Sequence, residues 1–131
     1  MSTALMSPAG AAWAAQAGLT VTARVALRNA GGESVTLAGT YSCGPFTGGV
    51  PDRGVIDLTV SQSAGGVSIN GYGYLEPTVC DGVAHRYAVE VTAVGEQGFR
   101  RGTAQWSSSG YVEGDDGLQH GSVPPTPIRI R

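Results

Sequence analysis

The side chains of this 131-residue chain that could carry out chemistry are few. His85 and His120 are its two histidines, and nucleophilic catalysis needs such a base beside an activated hydroxyl or thiol. Ser107, Ser108 and Ser109 supply hydroxyls. However, the chain has no G-x-S-x-G nucleophile elbow, and the serine run is typical of a strand end or a turn. We therefore expect no catalytic residues and no enzymatic activity.

The spacing of the acidic residues is typical of solvent-exposed positions rather than of a metal site. Asp81 precedes His85 by four residues, a spacing that brings two ligands together on a helix but not on a strand. The segment 113–117 holds three carboxylates that could offer oxygen ligands to calcium, but it lacks the length and spacing of an EF-hand loop. An acidic, solvated hairpin tip is the favoured interpretation. We expect no metal and no cofactor.

Cys43 and Cys80 are the two cysteines of the chain. Their spacing contains no C-x-x-C motif for zinc binding or redox chemistry. A disulfide between them is the favoured interpretation, and two free, buried thiols are the alternative. A disulfide that closes the loop from Cys43 to Cys80 would raise the free energy of unfolding by about 4 kcal/mol in the chain-entropy model, as an upper value. Disulfides form in oxidising compartments, so this interpretation favours an exported protein.

The first residues resemble a processing signal. Residues 1–17 are rich in alanine and contain two small-x-small sites, 12–14 and 15–17, of the kind that signal peptidase cuts. We expect a signal-peptide remnant here and a secreted, extracellular protein, with a flexible N-terminal arm as the alternative. No stretch approaches the roughly 20 apolar residues of a membrane span. The net charge of −2 argues against nucleic-acid binding, which needs a basic face.

The elements that must position these residues are predicted from polarity that alternates every second residue along the chain. Charged residues are only 14% of the chain and glycine occurs 21 times, and glycine turn signals separate segments of alternating polarity. This pattern predicts one domain over residues 18–131, an all-β, antiparallel immunoglobulin-like sandwich of about seven strands. A small closed barrel is the alternative. The proline-rich segment 123–127 is expected to lead into a last, edge strand at 128–131. In the first strand, the alternation places inward Leu19, Val21, Ala23, Val25 and Leu27.

Tyr72 and Tyr74 are the candidate ligand-binding residues. They alternate with glycines in the segment 70–74, and such tyrosines can form an open face on which a sugar or an aromatic ligand stacks. Packing of both rings against the neighbouring strand is the favoured interpretation. Ligand binding is therefore the less favoured use of this pair.

Two segments carry a resemblance to known proteins. Residues 36–43 and 79–85 resemble a family of small secreted actinobacterial proteins with immunoglobulin-like folds and no recognised activity. The resemblance covers about 19–131 and implies export and a disulfide between Cys43 and Cys80. Domains of this general appearance also serve as adaptor subunits in secreted umbrella toxin particles. There, an extended N-terminal arm joins the adaptor to its neighbours, and residues 9–18 would correspond to such an arm.

The leading hypothesis is a secreted, non-catalytic protein-interaction or adaptor module that belongs to an extracellular multi-subunit complex. The alternative is a small-ligand or carbohydrate carrier that uses Tyr72 and Tyr74. Enediyne-carrying apoproteins of the neocarzinostatin type are similar in size and fold, but they usually carry two disulfides and this chain has cysteines for one. Secreted protease inhibitors are also small, and the segment 44–53 beside Cys43 is where a reactive loop would lie. An enzyme with a histidine base is the third hypothesis.

Overall fold

The computed structural model describes residues 18–131, which form seven strands and two short 3-10 turns. The predicted signal remnant or arm, residues 1–17, lies outside the described residues. The turns span Ala30–Gly32 and Thr47–Gly49. The strands are β1 (Thr20–Arg28), β2 (Ser34–Ser42), β3 (Arg53–Ala64), β4 (Val67–Leu75), β5 (His85–Val94), β6 (Gly102–Gly114) and β7 (Gly117–Ile130).

The strands close into a barrel in the order β1-β2-β5-β4-β3-β6-β7. The prediction of an all-β fold is confirmed, but the prediction of an immunoglobulin-like sandwich is wrong. Strand β3 pairs along one edge with β4 and along the other edge with β6. Strand β1 pairs with β2 along one edge and with β7 along the other, so the seven strands form a closed ring rather than two separate sheets. Alternating polarity cannot distinguish the two folds, because each buries one face of every strand.

The core lies inside the barrel and is built from alternate residues of the strands. In β2, β3 and β5 the apolar residues on one face are buried or packed against the core, which agrees with the two-residue period of the sequence. Phe99, from the loop between β5 and β6, is 1% exposed. Gln62 fixes the end of this loop, because its side-chain amide donates to the carbonyl of Arg100 at 2.7 Å and accepts from its N–H at 2.9 Å.

Strand β1 changes phase at a β-bulge. The register against β2 shifts between Ala23 and Val25, which leaves Arg24 as the extra residue. Ala26 is consequently buried and Leu27 is 48% exposed. The inward placement predicted for Val25 and Leu27 is wrong, because one added residue moves every later side chain to the opposite face.

Strand β7 is much longer than predicted and contains the proline-rich segment. It pairs with β6 along one edge and with β1 along the other, so the prediction of an edge strand is wrong. Its pairing with β6 shifts where Trp106 pairs with Thr126 and Ser108 pairs with Val123. Pro124 and Pro125 lie within this irregularity and have no paired partner there. Because proline has no N–H to donate, the shift allows the strand to continue through both residues.

Two pairs of neighbouring strands in the barrel share only a few paired residues. Strands β1 and β7 meet in parallel at the pair Ala26 and Ile130, with two further main-chain bonds between residues 26–28 and Arg131. Strands β4 and β5 pair only between residues 70–72 and 92–94. Because β4 continues to Leu75 and β5 begins at His85, these two strands run unpaired over most of the length along which they are neighbours.

Candidate functional site

The unpaired stretch between β4 and β5 forms a cleft, which we call the β4–β5 gap. Its volume is about 600 Å³. At its inner end the strands still touch, because a Cβ on Gly73 would lie 2.5 Å from the carbonyl oxygen of Glu90. The gap is lined by Tyr72, Gly73, Tyr74 and Leu75 from β4, and by Ala88, Val89, Glu90 and Thr92 from β5.

The main chain on both sides of the gap has a free edge. Residues 85–92 of β5 pair with β2 along one edge, from Tyr41 opposite His85 to Ser34 opposite Thr92. Within the described part of the chain, residues 85–91 have no strand partner along the edge that faces β4, and residues 73–75 have none along the edge that faces β5. A free strand edge presents unpaired N–H and C=O groups to any segment that can reach it.

Tyr72 and Tyr74 stand on the outer face of β4, beside the gap. They are 56% and 63% exposed. Across the sheet they lie opposite Thr59 and Asp57 of β3, and neither of these side chains covers the rings. Packing against the neighbouring strand therefore leaves more than half of each tyrosine in solvent. Ligand binding by this pair stays a prediction.

The floor of the gap is apolar. Leu75 and Val89 are partly buried and pack against the core from β4 and β5. An incoming side chain could cover both residues and gain the free energy of burying apolar surface. The gap thus combines free main-chain groups, an apolar floor and a rim with two aromatic rings.

The disulfide between Cys43 and Cys80 is confirmed, with an S–S distance of 2.07 Å. It joins the loop after β2 to the loop before β5. Three main-chain bonds support it: Phe46 N–H donates to Cys80 O, Cys80 N–H to Gly49 O, and Gly82 N–H to Cys43 O. Neither sulfur is free, so neither is a nucleophile in the folded protein.

Asp81 and His85 meet at this end of the barrel. His85 Nε2 lies 2.8 Å from Asp81 Oδ1. Their predicted separation is wrong, because residues 81–84 form a bend before the strand begins rather than a strand. The Val83 N–H donates to the same carboxylate oxygen at 3.0 Å, which turns the chain back. The hydrogen bond from His85, followed by that from Val83, lowers the pKa of the Asp81 carboxyl.

The acidic segment 113–117 forms the hairpin between β6 and β7. Glu113 pairs with Arg53, with 2.6 Å between Oε1 and Nε. Asp116 accepts the Thr47 N–H at 2.6 Å. Among residues 18–131, no group of three or more histidine, cysteine or acidic side chains could hold a metal ion.

The serine run and the histidines are not brought together. Residues 107–109 lie in the middle of β6 rather than at a strand end or turn, so that prediction is wrong. His120 lies on β7 opposite Tyr111 of β6. Over residues 18–131, no hydrogen bond links either histidine to a serine of this run.

Sequence reasoning found the two tyrosines but missed the gap beside them. Pairing between β4 and β5 depends on where the strands diverge, and no local pattern reports this. The only local signal is that the inward positions 71 and 73 are glycines. Glycine at a strand position often marks a close approach of another backbone, here that of Glu90 to Gly73.

Comparisons of the chain with protein-family models, curated proteins and solved structures give no match. The resemblance to small secreted actinobacterial proteins therefore stays a prediction. Over residues 18–131, no helix has the length and apolar character needed to cross a membrane.

Proposed function

We propose that this protein is a secreted, non-catalytic protein-interaction module that binds an extended segment of a partner protein in the β4–β5 gap. The observation that carries this proposal is the edge of β5 over residues 85–89, which has no strand partner among residues 18–131 and lies beside the exposed rings of Tyr72 and Tyr74. From Glu90 onward the edge meets β4 at Gly73. The partner would be another subunit of an extracellular complex.

A polypeptide is the ligand that suits a free strand edge. Its main chain supplies donors and acceptors at the same spacing as the edge of β5, so an added strand would complete the pairing that β4 leaves off. Alternate side chains of the added strand would point inward to Leu75 and Val89 or outward along the rim. Tyrosine is enriched among residues that dominate binding energy, and Tyr72 and Tyr74 line this rim.

The disulfide supports the proposed location. Bonds of this kind persist in oxidising surroundings and are rare in the reducing cytosol. The bond between Cys43 and Cys80 is compatible with an extracellular protein. Mass spectrometry of secreted material, read for removal of the leading residues, tests export directly.

A displayed library of random peptides tests the binding mode without knowledge of the partner. Selected peptides are expected to shift the amide resonances of residues 73–75 and 85–91 and to slow their hydrogen exchange. N-methylation of the peptide amides that face β5 should abolish binding. N-methylation of the alternate amides, which face the opposite edge of the peptide, should leave binding unchanged. Tyr72→Ala and Tyr74→Ala should each weaken binding by at least about tenfold.

Leu118→Ala is the matched control, because Leu118 is 53% exposed on β7 and distant in strand order from the gap. It should leave affinity unchanged. Peptides that bind with full affinity to both tyrosine variants, or that tolerate N-methylation at every position, would overturn the proposal. So would a library that yields no peptide bound at the gap.

Carbohydrate or small-ligand binding is the second candidate function, and one observation favours it. The outer faces of β3, β4 and β6 form a groove of about 510 Å³ whose lining carries no charged side chain and includes Ser61, Ser63, Ser68, Asn70 and Gln105. Asn70 lies two residues before Tyr72 on β4, although Tyr72 itself does not line the groove. Hydroxyl and amide groups beside an aromatic ring suit a neutral sugar. Neutral oligosaccharides should then raise the melting temperature through mass action, and Tyr72→Ala should remove the effect.

A further inference from the structure

We propose that a second site, on the outer face of β1, β2 and β5, binds an oxyanion such as a carboxylate, sulfate or phosphate group. Arg24 and Arg86 line one cavity of about 290 Å³ on this face. The cavity lies along the β2 side of β5, whereas the β4–β5 gap lies along the other side. This proposal is therefore independent of the proposed function. The remaining lining residues are Val25, Ala38, Gly39, Thr40 and Tyr87.

The bulge in β1 sets the position of Arg24. Regular pairing on both sides of this residue is interrupted, since Ala23 pairs with Gly39 and Val25 with Ala38. Bulges are enriched next to binding sites because they re-aim a side chain. Here the extra residue is an arginine that lines the same cavity as Arg86, although one strand lies between them.

Neither guanidinium is paired with an acid. Within residues 18–131, Arg24 and Arg86 take part in no ion pair, and residues 1–17 contain no aspartate or glutamate. The contrast is Arg53, which is held by Glu113. Two like charges around one small cavity repel each other. An oxyanion between them would attract both guanidinium groups and make the net electrostatic interaction favourable. The planar fork of arginine matches the geometry of such a group.

The floor of the cavity is held in place. Tyr87 donates its hydroxyl hydrogen to the carbonyl of Thr22 at 2.7 Å. The hydroxyls of Thr22 and Thr40 are 2.8 Å apart, and the Thr40 N–H donates to Thr22 Oγ1 at 3.1 Å. These bonds tie β1, β2 and β5 together at two residues that line the cavity, Thr40 and Tyr87. A rigid floor reduces the entropy that binding must spend.

Titration with inorganic sulfate, inorganic phosphate and acetate tests the site and separates its ligand classes. Each probe is compared with chloride at equal ionic strength, because general screening then stays constant. The Nε–Hε resonances of Arg24 and Arg86 should move in a saturable manner with at least one probe. The main-chain amide resonances of Ala38 and Thr40, which line the cavity and are kept in every variant, report binding in the variants. Arg24→Gln and Arg86→Gln should each weaken that binding by about tenfold, and the double variant should abolish it.

Arg129→Gln is the matched control, an exposed arginine on β7 outside the cavity. It should leave affinity unchanged, as should Tyr72→Ala, which separates this site from the gap. Because both cavity arginines are exposed, their variants should keep the melting temperature of the native protein. Shifts that never saturate, that chloride reproduces, or that persist in the double variant would overturn the proposal.

Discussion

The hydroxyl of Tyr87 on β5 donates a hydrogen bond to the main-chain carbonyl of Thr22 on β1, across the intervening strand β2. Tyr87 pairs with Gly39, and Gly39 pairs with Ala23. Because Gly39 has no side chain, the tyrosine can cross β2 and reach the next strand. This one contact joins three strands at the bulge that positions Arg24.

Loss of the Tyr87 hydroxyl should destabilise the barrel. In Tyr87→Phe, the carbonyl of Thr22 loses a buried donor, so the free energy of unfolding should fall by about 1 kcal/mol at neutral pH. Urea denaturation of both proteins measures the difference. An unchanged midpoint would show that the carbonyl finds another donor.

The same residue predicts a dependence on alkaline pH. Burial raises the pKa of Tyr87 to about 12. This value lies above the unfolded pKa of about 10, so the folded state holds the proton more tightly. The associated stability is complete below pH 10 and is lost as the pH rises towards 12. Tyrosinate absorbance should show one group titrating near pH 12, which Tyr87→Phe removes.

Gly39→Ala should be strongly destabilising. A Cβ at this position would overlap the carbonyl oxygen of Thr22 and lie 2.8 Å from the Cα of Ala23. Both obstacles are main-chain atoms that cannot rotate away, so we expect a loss of about 3 kcal/mol. Gly18→Ala is the control, since its Cβ would meet its nearest neighbour at 3.5 Å. Thermal unfolding of the two variants compares them, and equal stability would contradict the proposed clash.

Removal of the disulfide should cost a large part of the stability. The double variant Cys43→Ala/Cys80→Ala opens a loop with a sequence separation of 37. The unfolded chain gains entropy, and the free energy of unfolding should fall by up to about 4 kcal/mol. The native protein treated with reductant should unfold at the same urea concentration as the variant. A variant as stable as the oxidised protein would contradict this prediction.

The pair of Asp81 and His85 should be visible in an acid titration. His85 holds the pKa of Asp81 below its usual range, so His85→Ala should raise it. A depressed pKa contributes stability that is present above the unfolded value of about 3.9 and is lost as the pH falls through the folded one. Carboxyl carbon chemical shifts measure the change. His120→Ala should leave Asp81 unaffected, and an equal shift in both variants would sink the assignment.

Local alternation was enough to predict the strands and most of their buried faces. Val35, Leu37, Ile56 and Leu58 repeat every second residue, and burial of one strand face requires this period. The phase of β1 after Ala23 was mispredicted because a bulge depends on the partner strand. The bend that joins Asp81 to His85 was mispredicted because a four-residue spacing means different distances in a strand and in a turn.

The sequence by itself determined an all-β chain with about seven strands and a shortage of chemically reactive groups, and it favoured a disulfide between its two cysteines. Only the tertiary structure decided that the strands close into a barrel, that β4 separates from β5 after Tyr72, and that Arg24 and Arg86 share one cavity. The physical reason is the range of the interactions. Polarity patterns report which face of a strand is buried, whereas strand partners, bulges and clefts depend on contacts between residues far apart in the chain.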